Sequence, residues 1–159
     1  MCAYMARIVP VEESELLLSE RGHWFHRKEP FENEKVIQFF HRAIRKDSEG
    51  RYFLYNSFED KEENVYFEVE DTAYFVVDIA FDEDNKVFVI VLNTGTDGIL
   101  DLHSLSEDDR GVMYCKVLND DRARFSPWAL MELSKHAEME DDTISIDKTG
   151  EKIVISAKI

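Results

Sequence analysis

Gly22-His23-Trp24-Phe25-His26, a helical pattern from about Asn33 to Lys46, and then Arg51-Tyr52-Phe53-Leu54-Tyr55 form the stretch on which the fold turns. The chain writes a similar order again, from Gly111-Val112-Met113-Tyr114-Cys115 through a helix at Ser126 to about Met139 into Thr143-Ile144-Ser145-Ile146. Each copy reads as strand, polar loop, amphipathic helix and strand. The pattern predicts an internally duplicated α+β fold with mostly antiparallel sheets. It also predicts a seam between halves, a common place for ligands.

Outward from these copies, Val11 to Leu18 reads as a short helix carrying Leu16, Leu17 and Leu18. The first main helix places Val36, Ile37, Phe40 and Ile44 on one face and Lys35, Arg42, Arg45 and Lys46 on the other, with Asn33 as N-cap. Val65 to Val69, Tyr74 to Ile79 and Lys86 to Leu92 read as strands, with Asp82-Glu83-Asp84-Asn85 as a turn. The apolar run Val87 to Leu92 predicts a strand buried on both faces. Asn93-Thr94-Gly95-Thr96-Asp97-Gly98 is turn chemistry and marks the predicted seam. Ser126 caps the second helix and Pro127 fits its first turn, while Ala129, Leu130, Leu133 and Ala137 make the core face. Trp128, Met131 and Met139 fall off that face and predict a second apolar contact, with the first lobe. A hairpin about Asp147-Lys148-Thr149-Gly150 closes the chain. The resulting organisation is an N-terminal segment 1–20, a first lobe 21–97 and a second lobe 98–159 in one two-lobed body.

Composition narrows the function classes. The 159 residues are 44% hydrophobic, enough for one ordinary core or two small ones, and the net charge is -15. Such a charge repels phosphate backbones and anionic lipids, so generic nucleic-acid binding and membrane binding are not expected. The charge is uneven: residues 1–58 carry 9 Lys or Arg and 9 Asp or Glu, while residues 59–159 carry 10 and 25. Residues 21–58 hold 8 basic and 5 acidic side chains plus His23, His26 and His41, and form the locally basic region. Cys2 and Cys115 lie far apart outside any C-x-x-C pair, which argues against a disulfide framework. No basic start with an apolar run opens the chain, and no stretch approaches about 18 apolar residues. A cytoplasmic protein is the expectation.

Several motifs resemble catalytic signatures and fail on chemistry. Val91-Leu92-Asn93-Thr94-Gly95 imitates an aspartic-protease strand, but the required carboxylate is Asn93, an amide that cannot share a proton with a partner. Asp147-Lys148-Thr149-Gly150 imitates a phosphorylated-aspartate motif, yet nine residues leave no room for the rest of such an enzyme. Asp82 and Asp84 lack the remaining ligands of a calcium loop. His23 and His26 fall on opposite faces of a predicted strand, so no metal or cofactor is expected. Cys115 reads as a small core residue.

Two clusters remain. Glu70-Asp71 precedes an apolar run, where a carboxylate can act as acid, base or hydrogen-bond acceptor, or else as a polar turn paired with Arg or Lys. Trp24, His26, Arg27, Arg42 and Arg45, with Arg122, Arg124 and Trp128 from the second copy, suit a small anionic or planar ligand, or serve to neutralise the acidic surface. The first reading is therefore a non-enzymatic module holding a ligand or partner protein at the seam. A hydrolase or lyase using Glu70 and Asp71 is the second, and nucleotide or nucleic-acid binding through the basic first copy the third.

The order Trp24-Phe25-His26-Arg27, Val36-Ile37-Gln38-Phe39-Phe40, Gly50-Arg51-Tyr52-Phe53-Leu54 and Val69-Glu70-Asp71-Thr72-Ala73-Tyr74-Phe75 resembles the uncharacterised bacterial family DUF1285 over roughly residues 20–155. The resemblance implies a small two-part α+β protein with an internal repeat and a pleckstrin-homology-like second half. It also implies a ligand site between the parts and a signalling role. Where many relatives read Glu-Asp-Ala-Pro-Phe, this chain has Glu70-Asp71-Thr72-Ala73-Tyr74-Phe75, without proline. The resemblance carries no catalytic residues.

Overall fold

The computed structural model describes residues 5–118, 121–141 and 143–156, so Cys2 lies outside the described residues. The chain divides into two compact units, Met1–Ala73 and Tyr74–Ile159.

The first unit runs β1 (Arg7–Val9), α1 (Val11–Ser14), β2 (Leu16–Leu18), β3 (Trp24–His26), β4 (Glu29–Pro30), α2 (Glu34–Ala43), β5 (Ile44–Lys46), β6 (Tyr52–Phe58), β7 (Lys61–Tyr66) and β8 (Glu68–Val69). One sheet has the order β1-β7-β6-β5 and the other β4-β3-β2-β8. Among the described residues, Leu16, Leu18, Trp24, Ala43, Ile44, Leu54, Phe67 and Ala73 are its buried apolar residues. α2 begins where the sequence predicts, with the Asn33 side chain accepting from the Lys35 and Val36 N–H groups. It ends at Ala43 rather than near Lys46, because Ile44 turns extended and pairs with Leu54 in a ladder. Leu16 to Leu18 is likewise a strand, not helix: α1 stops at Glu15 in left-handed conformation, and the three leucines pair with β3 and β8.

The second unit runs β9 (Tyr74–Asp82), β10 (Val87–Leu92), β11 (Asp97–Ile99), a 3-10 turn (Leu102–Ser104), β12 (Ser106–Glu107), β13 (Met113–Val117), β14 (Asp121–Phe125), α3 (Pro127–Ser134), β15 (Ala137–Glu140), β16 (Thr143–Ile146) and β17 (Ile153–Ser156). A six-stranded sheet has the order β11-β10-β9-β14-β13-β12, and a three-stranded sheet the order β15-β16-β17. Most described strand pairs in both units are antiparallel; β1 with β7, β2 with β8 and β9 with β14 are parallel. In each unit a helix leads directly into a three-stranded antiparallel meander, β5-β6-β7 after α2 and β15-β16-β17 after α3.

The boundary corrects the sequence expectation. β9 and β10 pair with each other, and β9 pairs with β14, so residues 74–97 belong with the second unit. The predicted seam at Asn93 to Gly98 is instead the turn after β10 and the start of β11, within this unit's sheet. The N-terminal segment is not separate either, because β1 and β2 are strands of the first unit.

β10 shows an alternation rather than burial on both faces: Phe88, Ile90 and Leu92 are buried, and Val87, Val89 and Val91 are half-buried. α3 starts at the Ser126 cap, whose side chain accepts from the Ala129 N–H, with Pro127 in the first turn. Its Ala129 and Leu133 are buried, and the helix packs on β9. α3 ends at Ser134, since Ala137 to Glu140 pair with β16. Trp128, Met131 and Met139 are exposed.

Candidate functional site

A cavity of about 480 Å³ opens in the first unit where β1 and α1 meet the ends of β6 and β7. Ile8, Pro10, Val11, Phe67 and Val69 supply apolar wall, Tyr52 and Tyr66 add aromatic surface, and Arg51 and Glu12 bring the charge. Its volume falls within the range of about 300–1,000 Å³ typical of small-molecule sites.

Local chemistry fixes these walls. The parallel register of β1 on β7 sets Ile8 beside Asn64 and Val9 beside Val65. The Ser14 hydroxyl donates to the Tyr66 carbonyl at 2.6 Å, fastening α1 to the end of β7. Between β5 and β6, Asp47 Oδ1 accepts from the Glu49 and Arg51 N–H groups, each at 2.9 Å, so the carboxylate holds its own turn. Gly50 adopts φ +83 in this turn, a left-handed conformation that favours glycine.

The other Asp47 oxygen organises the rim. Oδ2 accepts from Tyr66 Oη at 2.9 Å and from Arg51 Nε at 3.1 Å. Arg51 Nη2 reaches Glu49 Oε2 at 2.8 Å, and the guanidinium lies 5.1 Å from the Tyr66 ring centroid. Hydrogen bonds, foremost that from the Arg51 N–H, hold the Asp47 carboxyl below its usual range. Burial, together with the hydrogen bond to Asp47, raises the Tyr66 phenol. Neighbouring Glu49, followed by Asp47, raises Arg51. Tyr66 therefore stays neutral and donates to Asp47, while its oxygen retains acceptor capacity. The Arg51 charge is balanced by two carboxylates and Glu12 adds a third, so the charged edge of the cavity is net negative and disfavours an anion.

The residues singled out in the sequence have other settings. Trp24 is 2% exposed, edge-on to Phe40 and Phe67, and donates from Nε1 to His41 Nδ1 at 3.3 Å. It is a core residue. His26 is exposed near the Phe31 ring, and Arg27 is exposed and paired with Glu15. Arg45 donates to the Arg42 and Ile44 carbonyls and lies by the Tyr55 ring, while Arg42 is exposed on α2. On β14, Arg122 lies 3.9 Å from the Tyr114 ring centroid, and Arg124 is opposite Tyr114 and Phe75. Trp128 is 57% exposed on α3. Glu70 accepts from the Glu20 N–H at 3.0 Å and Asp71 is half-buried after β8. Asn93, at the false protease motif, accepts from the Phe75 N–H. The Cys115 thiol is buried and pushed up to about 12, which makes it unreactive. The described residues contain no cluster of metal-ligating side chains and no helix long and apolar enough to cross a membrane.

Sequence reasoning missed Asp47 and Tyr66 and read Arg51 as strand alone. The run Asp47-Ser48-Glu49-Gly50 carries turn chemistry that points to Asp47. Tyr66 joins it only through the β6–β7 hairpin.

His41 gives a pH test of the Trp24 core. Burial lowers its pKa to about 4 from 6.5, with Glu34 opposing the shift. The folded value lies below the unfolded one, so its contribution is complete above about pH 6.5 and fades as pH falls towards 4. Urea midpoints of wild type and His41→Gln, compared across that window, are expected to show a smaller acid-side loss in the variant.

No family model and no curated protein matches the chain. Two solved structures are similar to it. A DUF1285 family protein from Silicibacter pomeroyi DSS-3 has a TM-score of 0.62 at 14% identity, covering 97% of this chain and 84% of that one. Another, from Shewanella baltica OS155, has a TM-score of 0.55 at 15% identity, covering 78% of this chain and 93% of that one. The chain thus has the α+β fold seen in DUF1285 family proteins.

Proposed function

We propose that the first unit is a binding module for a small, planar, uncharged molecule seated in the cavity beside Tyr66. The observation that carries this reading is the Asp47–Tyr66–Arg51 tie at the edge of a cavity whose remaining walls, Glu12 apart, are apolar and aromatic. Apolar walls supply affinity through buried area, and a few fixed polar groups orient the ligand. A ligand N–H or O–H donor meets the Tyr66 oxygen, while the ring system lies against Tyr52 and Phe67. In this reading the protein works in the cytoplasm, and ligand occupancy serves regulation or signalling. The exposed arginines Arg27, Arg42 and Arg45 balance charge and support local structure.

Ligand-observed NMR with a panel of neutral heteroaromatic compounds tests the reading. Wild type is expected to bind members of the panel, and Val11→Trp, which fills the cavity from its exposed mouth, to bind them at least about tenfold more weakly while keeping its fold. Equal binding by a folded Val11→Trp protein would place the ligand elsewhere.

A further inference from the structure

We infer that Glu12 sets the ligand class of the cavity: a neutral, flat heterocycle with two adjacent in-plane donors, a ring N–H beside an exocyclic amino group. The inference rests on the cavity being the binding site proposed above.

The carboxylates in and after α1 are employed differently. Glu13 faces Arg7 at 3.6 Å, and Glu15, which ends the helix, pairs with Arg27. Glu12 lines the cavity instead, and it has no hydrogen-bond or ion-pair partner among the described residues. Its backbone is held in place. The Glu13 and Ser14 N–H groups donate to the Pro10 carbonyl at 3.0 and 2.9 Å, and the Ser14 hydroxyl donates to the Tyr66 carbonyl at 2.6 Å. Glu12 is thereby fixed beside the strand that bears Tyr66.

The other polar groups of the wall have donors already engaged. Tyr66 gives its hydroxyl proton to Asp47, and Arg51 Nε and Nη2 donate to Asp47 and Glu49. Glu12 and the Tyr66 oxygen therefore both offer acceptors, and a carboxylate sets two oxygens side by side to meet two parallel N–H groups. A ligand edge made of acceptors would leave lone pairs facing lone pairs, so the wall selects against it as well as for donors. The Tyr52 and Phe67 rings favour a flat ring. A full positive charge loses its water against the apolar walls and meets Arg51 on the same edge, which favours neutral donors.

The test titrates the whole protein, by ligand-observed NMR, with isocytosine, which carries the donor pair, and with pyrimidinone, the same ring without the amino group. Isocytosine is expected to bind at least about tenfold more tightly. Glu12→Gln, which exchanges one acceptor oxygen for a donor, should abolish that preference and leave pyrimidinone affinity within about twofold. An unchanged preference in Glu12→Gln would overturn the inference, and so would equal weakening of both rings, the result of a merely structural role in α1. Tighter binding of benzamidine, a cation with a similar donor pair, would overturn the neutral class. Failure of the underlying reading looks different: no neutral heteroaromatic binds, or Val11→Trp binds them as wild type does. Binding of other neutral rings in the cavity without a preference for isocytosine leaves that reading standing and overturns this one.

Discussion

Replacing Trp24 with alanine is expected to destabilise the protein by about 3–5 kcal/mol, the cost typical of removing a large buried aromatic. The indole is 2% exposed and meets Phe40 edge-on at 5.3 Å and Phe67 at 4.8 Å between centroids. Its N–H also supplies the His41 imidazole with a donor. Alanine removes the packing and the hydrogen bond together, while Trp24→Phe keeps most of the ring area and loses the N–H, for about 1–2 kcal/mol. Urea denaturation followed by circular dichroism measures both. Near-wild-type stability of Trp24→Ala would show that Trp24 is not a core residue and return it to the candidate ligand contacts. Because Phe67 also lines the cavity, Trp24→Ala should weaken ligand binding as well.

Asn93→Ala is expected to cost about 1–3 kcal/mol, the penalty of leaving a buried donor without its partner. Asn93 is 8% exposed, its side-chain oxygen accepts from the Phe75 N–H at 2.9 Å, and its own N–H donates to the Phe75 carbonyl at 2.9 Å. The β9–β10 register shifts between Val91 and Leu92, just before this residue. The amide therefore carries a ladder bond across the irregularity where regular pairing fails. Alanine keeps the backbone bond and deletes the side-chain one. Hydrogen exchange should then show the Phe75 amide losing protection more than its neighbours on β9. Unaltered stability and protection would mean that the amide does not pin the strand.

The sequence shows clearly what neighbours decide. The Asn33 and Ser126 caps, the Asp82 turn and the C-terminal hairpin are set by residues within one turn of each other, and the structure has them where the pattern puts them. The ends of both helices were hidden for one reason. Ile44 continues the helical spacing from Phe40, and Ala137 that from Leu133, yet each is taken by a strand partner, Leu54 and Ile146, that periodicity cannot see. Leu16 to Leu18 was ambiguous in the same way, a short apolar run claimed by β3 and β8. Boundaries failed at Tyr74 because the parallel partner of β9, β14, lies about fifty residues downstream.

The site was less legible than the fold. Trp24 beside Arg27 looked like a ligand contact, but tertiary packing decides burial and Arg27 is occupied by Glu15. Arg51 stood in a strand pattern without distinction, and its meaning depends on Asp47 in the preceding turn and Tyr66 on the next strand. The β6–β7 register that pairs Phe53 with Tyr66 brings these groups together, and hairpin register is poorly encoded in a sequence when the strand after the turn Glu59-Asp60 opens with a polar run, Lys61-Glu62-Glu63-Asn64.

The most direct test of the cavity as the binding site is a titration of the isotopically labelled protein with the tightest neutral heteroaromatic ligand, followed by amide and indole N–H shifts. Binding there predicts the largest shifts at Val11, Arg51, Tyr52 and Phe67, with the Trp24 indole N–H moving through its contact with Phe67, and their loss in Val11→Trp. Shifts centred instead on Arg42, Arg45, Arg122 and Arg124, with the cavity residues unmoved, would contradict it.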